Sequence, residues 1–215
     1  LKQGGNAIDA AIAVGFALAV VHPSAGNIGG GGFMLVKLSD GSVKSIDFRE
    51  KAPLKAHENM FLDENGSVIH GKSWSSSHSI GVPGTVAGYG LIHEHYGTIS
   101  WEQLIKPSIE LAEFGFEIDY FLMNLLNSEK YKQLLLKDEA SRKVFIKSGE
   151  SNYGFNEKLY QYNLSETLKR IANNGYKEFY YGETASQIVS CMKRIKGLIT
   201  HDDLESYEAI VREPI

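Results

Sequence analysis

Gly29-Gly30-Gly31-Gly32-Phe33-Met34-Leu35-Val36-Lys37-Leu38-Ser39-Asp40-Gly41-Ser42-Val43-Lys44-Ser45-Ile46-Asp47-Phe48-Arg49 is the stretch around which the rest of the chain is organised. Asp40-Gly41 between two apolar-rich runs is the strongest short hairpin signal, so residues 31–38 and 43–48 are expected to pair as strands. The first is nearly continuous apolar and is expected to be buried on both faces. The second alternates apolar and polar, as a strand with one wet face does. The glycine run must let the backbone approach something closely or adopt positive φ, because glycine loses more entropy on ordering than any other residue. Arg49 and Glu50 close the second strand before Lys51-Ala52-Pro53 halts pairing. Arg49 is the candidate functional residue.

Upstream, Asn6 is placed to cap a helix, with Asp9 three residues on to return the bond, and the helix runs to His22-Pro23. It is apolar almost all round and reads as a core element, with His22 as a capping or packing histidine. Downstream, residues 54–84 are rich in turn signals. Gly81-Val82-Pro83-Gly84 leads into a helix over 85–96 that Gly97 stops. Ser100-Trp101-Glu102-Gln103 is a capping box for a helix over 101–114, in which Pro107 is expected to produce a kink. The stretch 117–150 reads as polar surface helices. Further helices are expected over 165–174, ended by Gly175, and 182–195, ended by Gly197, with a short last one opened by Thr200. The end, Glu213-Pro214-Ile215, reads as following directly on a helical pattern.

With 215 residues, 43% of them hydrophobic, the chain has material for one large domain or two small ones. Net charge −4 and a pI of about 6.0, without long runs of one sign, point away from nucleic acid and from anionic membrane surfaces. The single cysteine, Cys191, allows no internal disulfide and no metal-binding pair, and reads as a packed core thiol. The longest apolar run, Ala10 to Val21, is shorter than the ~18 residues a membrane-spanning helix needs. Both ends read as cuts in a longer protein, so a signal segment, if that protein has one, would lie upstream.

Several motifs carry less than their spacing suggests. Gly66-Ser67-Val68-Ile69-His70-Gly71-Lys72-Ser73 matches a P-loop, but only a poor short strand precedes it and Trp74 to Ser79 does not read as a helix. The glycine run fails the dinucleotide spacing and leads into a strand. His93 and His95 are two apart and cannot share a helix face, which argues against zinc. Asp202 and Asp203 are accounted for by the helix dipole. No metal and no cofactor is expected. Read from the residues alone, Arg49 between Asp47 and Glu50 is a surface ion pair.

Three motifs give Arg49 a different standing. Gly4-Gly5-Asn6-Ala7-Ile8-Asp9-Ala10-Ala11, the run from His22-Pro23-Ser24-Ala25-Gly26-Asn27 through Gly29 to Met34, and Asp47-Phe48-Arg49-Glu50-Lys51-Ala52-Pro53 closely resemble γ-glutamyltranspeptidases. Gly81-Val82-Pro83-Gly84-Thr85-Val86-Ala87-Gly88, Phe179-Tyr180-Tyr181-Gly182-Glu183 and Gly197-Leu198-Ile199-Thr200 follow in the family's order. The resemblance implies an α/β (α+β) N-terminal-nucleophile hydrolase, an αββα sandwich made as a proenzyme that cuts itself into two subunits. Residues 1–215 would be an incomplete single domain, a large-subunit segment, inactive alone. Its partners would be the small subunit, glutathione or another γ-glutamyl donor, and an amino acid or peptide acceptor. Thr85, Thr98, Thr167, Thr184 and Thr200 are internal, so the N-terminal threonine nucleophile would lie outside this chain and no catalytic residue within it. Arg49 would bind the donor's α-carboxylate, and the glycine run would pass beneath the active site. Localisation would be periplasmic, secreted or cell-surface. Alternatives on the same scaffold are an acylase or a γ-polyglutamate-cleaving enzyme, and outside the chemistry a binding homologue that lost its nucleophile.

Overall fold

The computed structural model describes residues 1–214, the side chain of Glu150 apart. The first helix, α1 (Ala7–Val21), starts as the sequence predicts: Asn6 Oδ1 accepts from the amides of Ile8 and Asp9, and Asp9 returns the bond to the Asn6 amide. His22 caps its end. Strands β1 (Phe33–Lys37) and β2 (Val43–Asp47) form the expected antiparallel hairpin, extended by a reciprocal pair between Gly32 and Phe48. The loop after it holds one turn of helix, α2 (Lys72–Ser75), and a 3-10 turn over Ser77–Ser79.

Then come α3 (Thr85–Tyr96), α4 (Trp101–Phe114), a two-residue strand β3 (Phe116–Glu117), and the helices α5 (Tyr120–Asn127), α6 (Glu129–Leu135) and α7 (Glu139–Phe145). Strand β4 (Lys158–Leu159) pairs with β3 and leads into α8 (Tyr162–Asn174). The chain continues through α9 (Glu178–Tyr181), α10 (Glu183–Arg194) and α11 (His201–Glu205) to β5 (Ile210–Arg212). α4 runs unbroken through Pro107, with α1 on one side and α8 on another.

The main sheet has the order β1-β2-β5, with β5 antiparallel to β2. That corrects the reading of the chain's end: a strand, not a helix, precedes Glu213. Ile215, the last residue of that expectation, lies outside the described residues. Register places Phe33, Asp47 and Ile210 across from one another, then Met34, Ile46 and Val211, then Leu35, Ser45 and Arg212. Opposed residues share a face. One face sends Val36 and Ile46 into the core that Phe16, Val20 and Val86 also line. The other leaves Phe33 62% and Leu35 70% exposed. The first strand is therefore buried on one face only, because helices pack against a single side of this sheet among the described residues. Its continuous apolar character still marks a strand built for cover on both sides.

Candidate functional site

Phe48 at the end of β2 is buried, and its ring packs edge-on against Tyr89 of α3. That packing needs two glycines. A Cβ at Gly88 would enter the Phe48 ring, and one at Gly84 would strike both the Phe48 carbonyl and the Tyr207 hydroxyl. The glycine run serves the same approach: a Cβ at Gly31 would strike the backbone of Phe48, Arg49 and Glu50. None of Gly29 to Gly32 has positive φ; close approach accounts for Gly31, for Gly30 against the Asn27 side chain and for Gly32 against the Phe48 ring, while Gly29 faces open space and nothing in the structure explains it. The Gly30 carbonyl then accepts from the amides of Gly84 and Thr85, fastening the run to the first turn of α3.

This tightly packed strand end delivers Arg49 to the surface. Its side chain is 62% exposed, its Nε lies 3.3 Å from Glu50 Oε2, and its Cζ lies 5.9 Å from the centre of the Phe33 ring. An exposed ion pair of this kind contributes little, so the guanidinium stays available to a better acceptor. The surface ion pair read from the residues is present with Glu50, and Asp47 is engaged elsewhere. Asp47 Oδ1 accepts from the Arg49 amide at 3.1 Å, and Oδ2 accepts from Arg212 Nε at 2.7 Å. Those two bonds, the Arg49 amide first, hold the Asp47 carboxyl below its ordinary range. The Arg49 carbonyl accepts from the Tyr207 hydroxyl at 2.8 Å, and burial, with the charges of Asp47 and Glu50 adding, pushes that phenol up to about 12. A planar, charged fork on a fixed backbone suits bidentate recognition of a carboxylate.

Sequence reasoning placed Arg49 at a strand end and missed its supports. Tyr207 and Arg212 lie far along the chain, and no local pattern announces β5. The other motifs resolve into structure. The P-loop match is a turn in which Asp63 Oδ1 accepts from Asn65 and Ser67, and the single helical turn α2, which the sequence did not show, leaves Trp74 90% exposed. No buried strand feeds it, so it cannot cradle phosphate. His93 Nε2 bonds the Ile99 carbonyl at 2.7 Å and the ring lies against Trp101. Among the described residues no group of three or more His, Cys, Asp or Glu could hold a metal, and no helix is long and apolar enough to cross a membrane. Cys191 is half-buried and accepts from Arg194 Nη2 at 3.4 Å, so it is less enclosed than a core thiol.

Every threonine hydroxyl has a structural partner: Thr85 donates to Asn27, Thr98 to Asp9, Thr167 to the Asn163 carbonyl and Thr200 to Asp203, while Thr184 accepts from Arg170. Asp203 does more than the dipole reading allowed. It completes a capping box with Thr200 and accepts from the Leu54 amide at 2.5 Å, tying the post-hairpin loop to α11.

Comparison with known proteins agrees over the whole chain. The family model described as Gamma-glutamyltranspeptidase matches residues 1–215. The Glutathione hydrolase proenzyme of Escherichia coli (strain K12) is 46% identical over 215 residues, which are 100% of this chain and 37% of that protein. The protein of the same name from Pseudomonas sp. (strain A14) is 47% identical over 217 residues, with the same coverage. The crystal structure of Helicobacter pylori gamma-glutamyltranspeptidase superposes with a TM-score of 0.95 at 47% identity, covering 100% of this chain and 61% of that one. The chain thus spans a little over a third of the length of the curated relatives it matches. Its fold is part of an N-terminal-nucleophile hydrolase. The described residues supply one main sheet and the helices packed on one of its faces.

Proposed function

This chain belongs to the gamma-glutamyltranspeptidase family, and on that premise we propose that it is the donor-recognising part of an enzyme that cleaves the γ-glutamyl amide bond of glutathione and related compounds. Residues 1–215 are a segment of the large subunit. The small subunit of the same precursor supplies the N-terminal threonine, whose own amine serves as base, and the oxyanion donors. A γ-glutamyl-enzyme forms, and water or an amino acid or peptide acceptor takes the acyl group. Such an enzyme works outside the cytoplasm, in the periplasm, secreted or at the cell surface. Fractionation of source cells tests this, and activity confined to the cytosol would end it.

The observation that carries the reading is Arg49: an exposed guanidinium beside Glu50 and the Phe33 ring, on a residue whose amide and carbonyl are both hydrogen-bonded. In the mature enzyme it binds the donor's α-carboxylate. Arg49→Ala then removes a charge-assisted contact worth about 1.5 to 3 kcal/mol, raising the donor KM roughly ten- to a hundredfold. Steady-state kinetics with a γ-glutamyl anilide measures it, and an unchanged KM would sink the assignment.

A further inference from the structure

The Arg49 side chain reaches solvent, yet its backbone is fastened at both its amide and its carbonyl, by Asp47 two residues back and by a group far along the chain. The more remote of these is Tyr207, only 7% exposed, whose hydroxyl donates to the Arg49 carbonyl at 2.8 Å. Its ring stacks on Tyr180 at 5.7 Å and 12°. The Tyr180 hydroxyl in turn donates to the Pro83 carbonyl at 3.0 Å and accepts from the Ala87 amide at 3.1 Å, at the start of α3. The Lys51 ammonium lies 4.9 Å from the centre of the Tyr207 ring on its way to the Glu208 carbonyl. The absence of a side chain at Gly84 leaves room for the hydroxyl beside the Phe48 carbonyl. Stacking and burial need only the ring. The hydroxyl, a buried polar group that requires a partner, spends its hydrogen bond on Arg49.

We propose that Tyr207 is a positioning residue for donor recognition, fixing the Arg49 carbonyl so that the guanidinium is aimed at the donor's α-carboxylate. This rests on the reading of Arg49 given above. A bidentate contact demands a defined origin for the side chain as well as a free tip, and a fixed backbone supplies the origin without occupying the fork. Positioning of this kind acts on the affinity for donors that carry the carboxylate and leaves the bond-breaking step to groups elsewhere.

The test uses the full-length, matured enzyme and two donors, a γ-glutamyl anilide and the same anilide with its α-carboxylate methyl-esterified. The readout is the ratio of their kcat/KM values, which does not depend on how much of a preparation is active. Tyr207→Phe keeps the stacked ring and is expected to lower that ratio about five- to tenfold, the loss of one hydrogen bond, through KM with kcat within about twofold. Arg49→Ala should abolish the discrimination. Thr98→Val, which removes a hydroxyl bonded to Asp9 and not to Arg49, should lower thermal stability and leave the ratio in place. A ratio unchanged in Tyr207→Phe while Arg49→Ala collapses it overturns the role of Tyr207 alone. So does an equal fall in Tyr207→Phe and Thr98→Val, which would mark a general loss of structure. Discrimination that survives Arg49→Ala brings down the reading of Arg49 itself, and the role of Tyr207 with it.

Discussion

Asp9 is 1% exposed, and its carboxylate joins the start of α1 to the loop between α3 and α4. It accepts from the Asn6 amide at 2.8 Å, the Thr98 amide at 3.0 Å, the Thr98 hydroxyl at 2.5 Å and the Ile99 amide at 3.4 Å. Burial raises its pKa, and these bonds, the Thr98 hydroxyl foremost, outweigh that and hold it below the ordinary 3.8. A carboxyl depressed in the folded state contributes stability that is fully present above its unfolded value and lost as pH falls through the folded one. Asp9→Asn presents an amide to donors and should cost about 1 to 3 kcal/mol at neutral pH. In thermal melts of the full-length protein, the gap between wild type and variant should close as pH drops below the ordinary aspartate value; a gap that widens in acid would refute it. Asp9 was legible in the sequence because a capping box is local. Arg49 was not, since an arginine flanked by two acids looks the same whether it pairs with them or not. Its neighbour Asp47 in fact bonds Arg212 on another strand, a partner no spacing rule could supply.

At the scale of elements, local signals were read correctly where local physics sets them. The hairpin follows from Asp40-Gly41, α3 stops at Gly97, and α11 opens at Thr200. The misses have different physical causes. α8 begins at Tyr162, three residues before the expected Ser165, because Gln161 is fixed from afar: its amide bonds the Ala112 carbonyl at 2.8 Å and its side chain the Val20 carbonyl at 2.7 Å. Strands β3 and β4 have two residues each, too few for periodicity. At the end of α10 the positive φ falls on Lys196, not on Gly197, and a Cβ at Gly197 would meet Met192 Sδ, so glycine stands there for space. Space also decides Gly88. In a helix interior Gly→Ala gains about 1 kcal/mol of propensity, whereas forcing a methyl into a filled core costs roughly 1 to 3 kcal/mol. The Phe48 ring occupies that space, so Gly88→Ala should lower the denaturant midpoint. A variant more stable than wild type would mean that Phe48 can swing away, and that the strand end carrying Arg49 is not held as described.

For the molecule as a whole, the open face of the main sheet matters most. Phe33, Leu35 and Ile210 stand on it at 62%, 70% and 40% exposure, with Val43 at the far end of the hairpin. Large apolar side chains this exposed, set around the Asp47–Arg212 ion pair on one sheet face, mark an interface, and strands β1 and β5 also leave edges that nothing among the described residues pairs. The nearly unbroken apolar character of residues 33–38, which the sequence suggested was for burial on both sides, is half satisfied by the helices and half unsatisfied. A polypeptide of residues 1–215 made alone should therefore bind a hydrophobic dye, associate as its concentration rises, and melt over a broad, concentration-dependent range. Leu35→Lys and Phe33→Lys, placed on the open face, should reduce dye binding and association without shifting the circular dichroism of the helices. In the full-length protein the same changes should block assembly, because a charge would then be buried without a partner. A sharp, monomeric, concentration-independent transition of the isolated segment would show that this face is content in water, and that the sheet does not need a second layer to be stable.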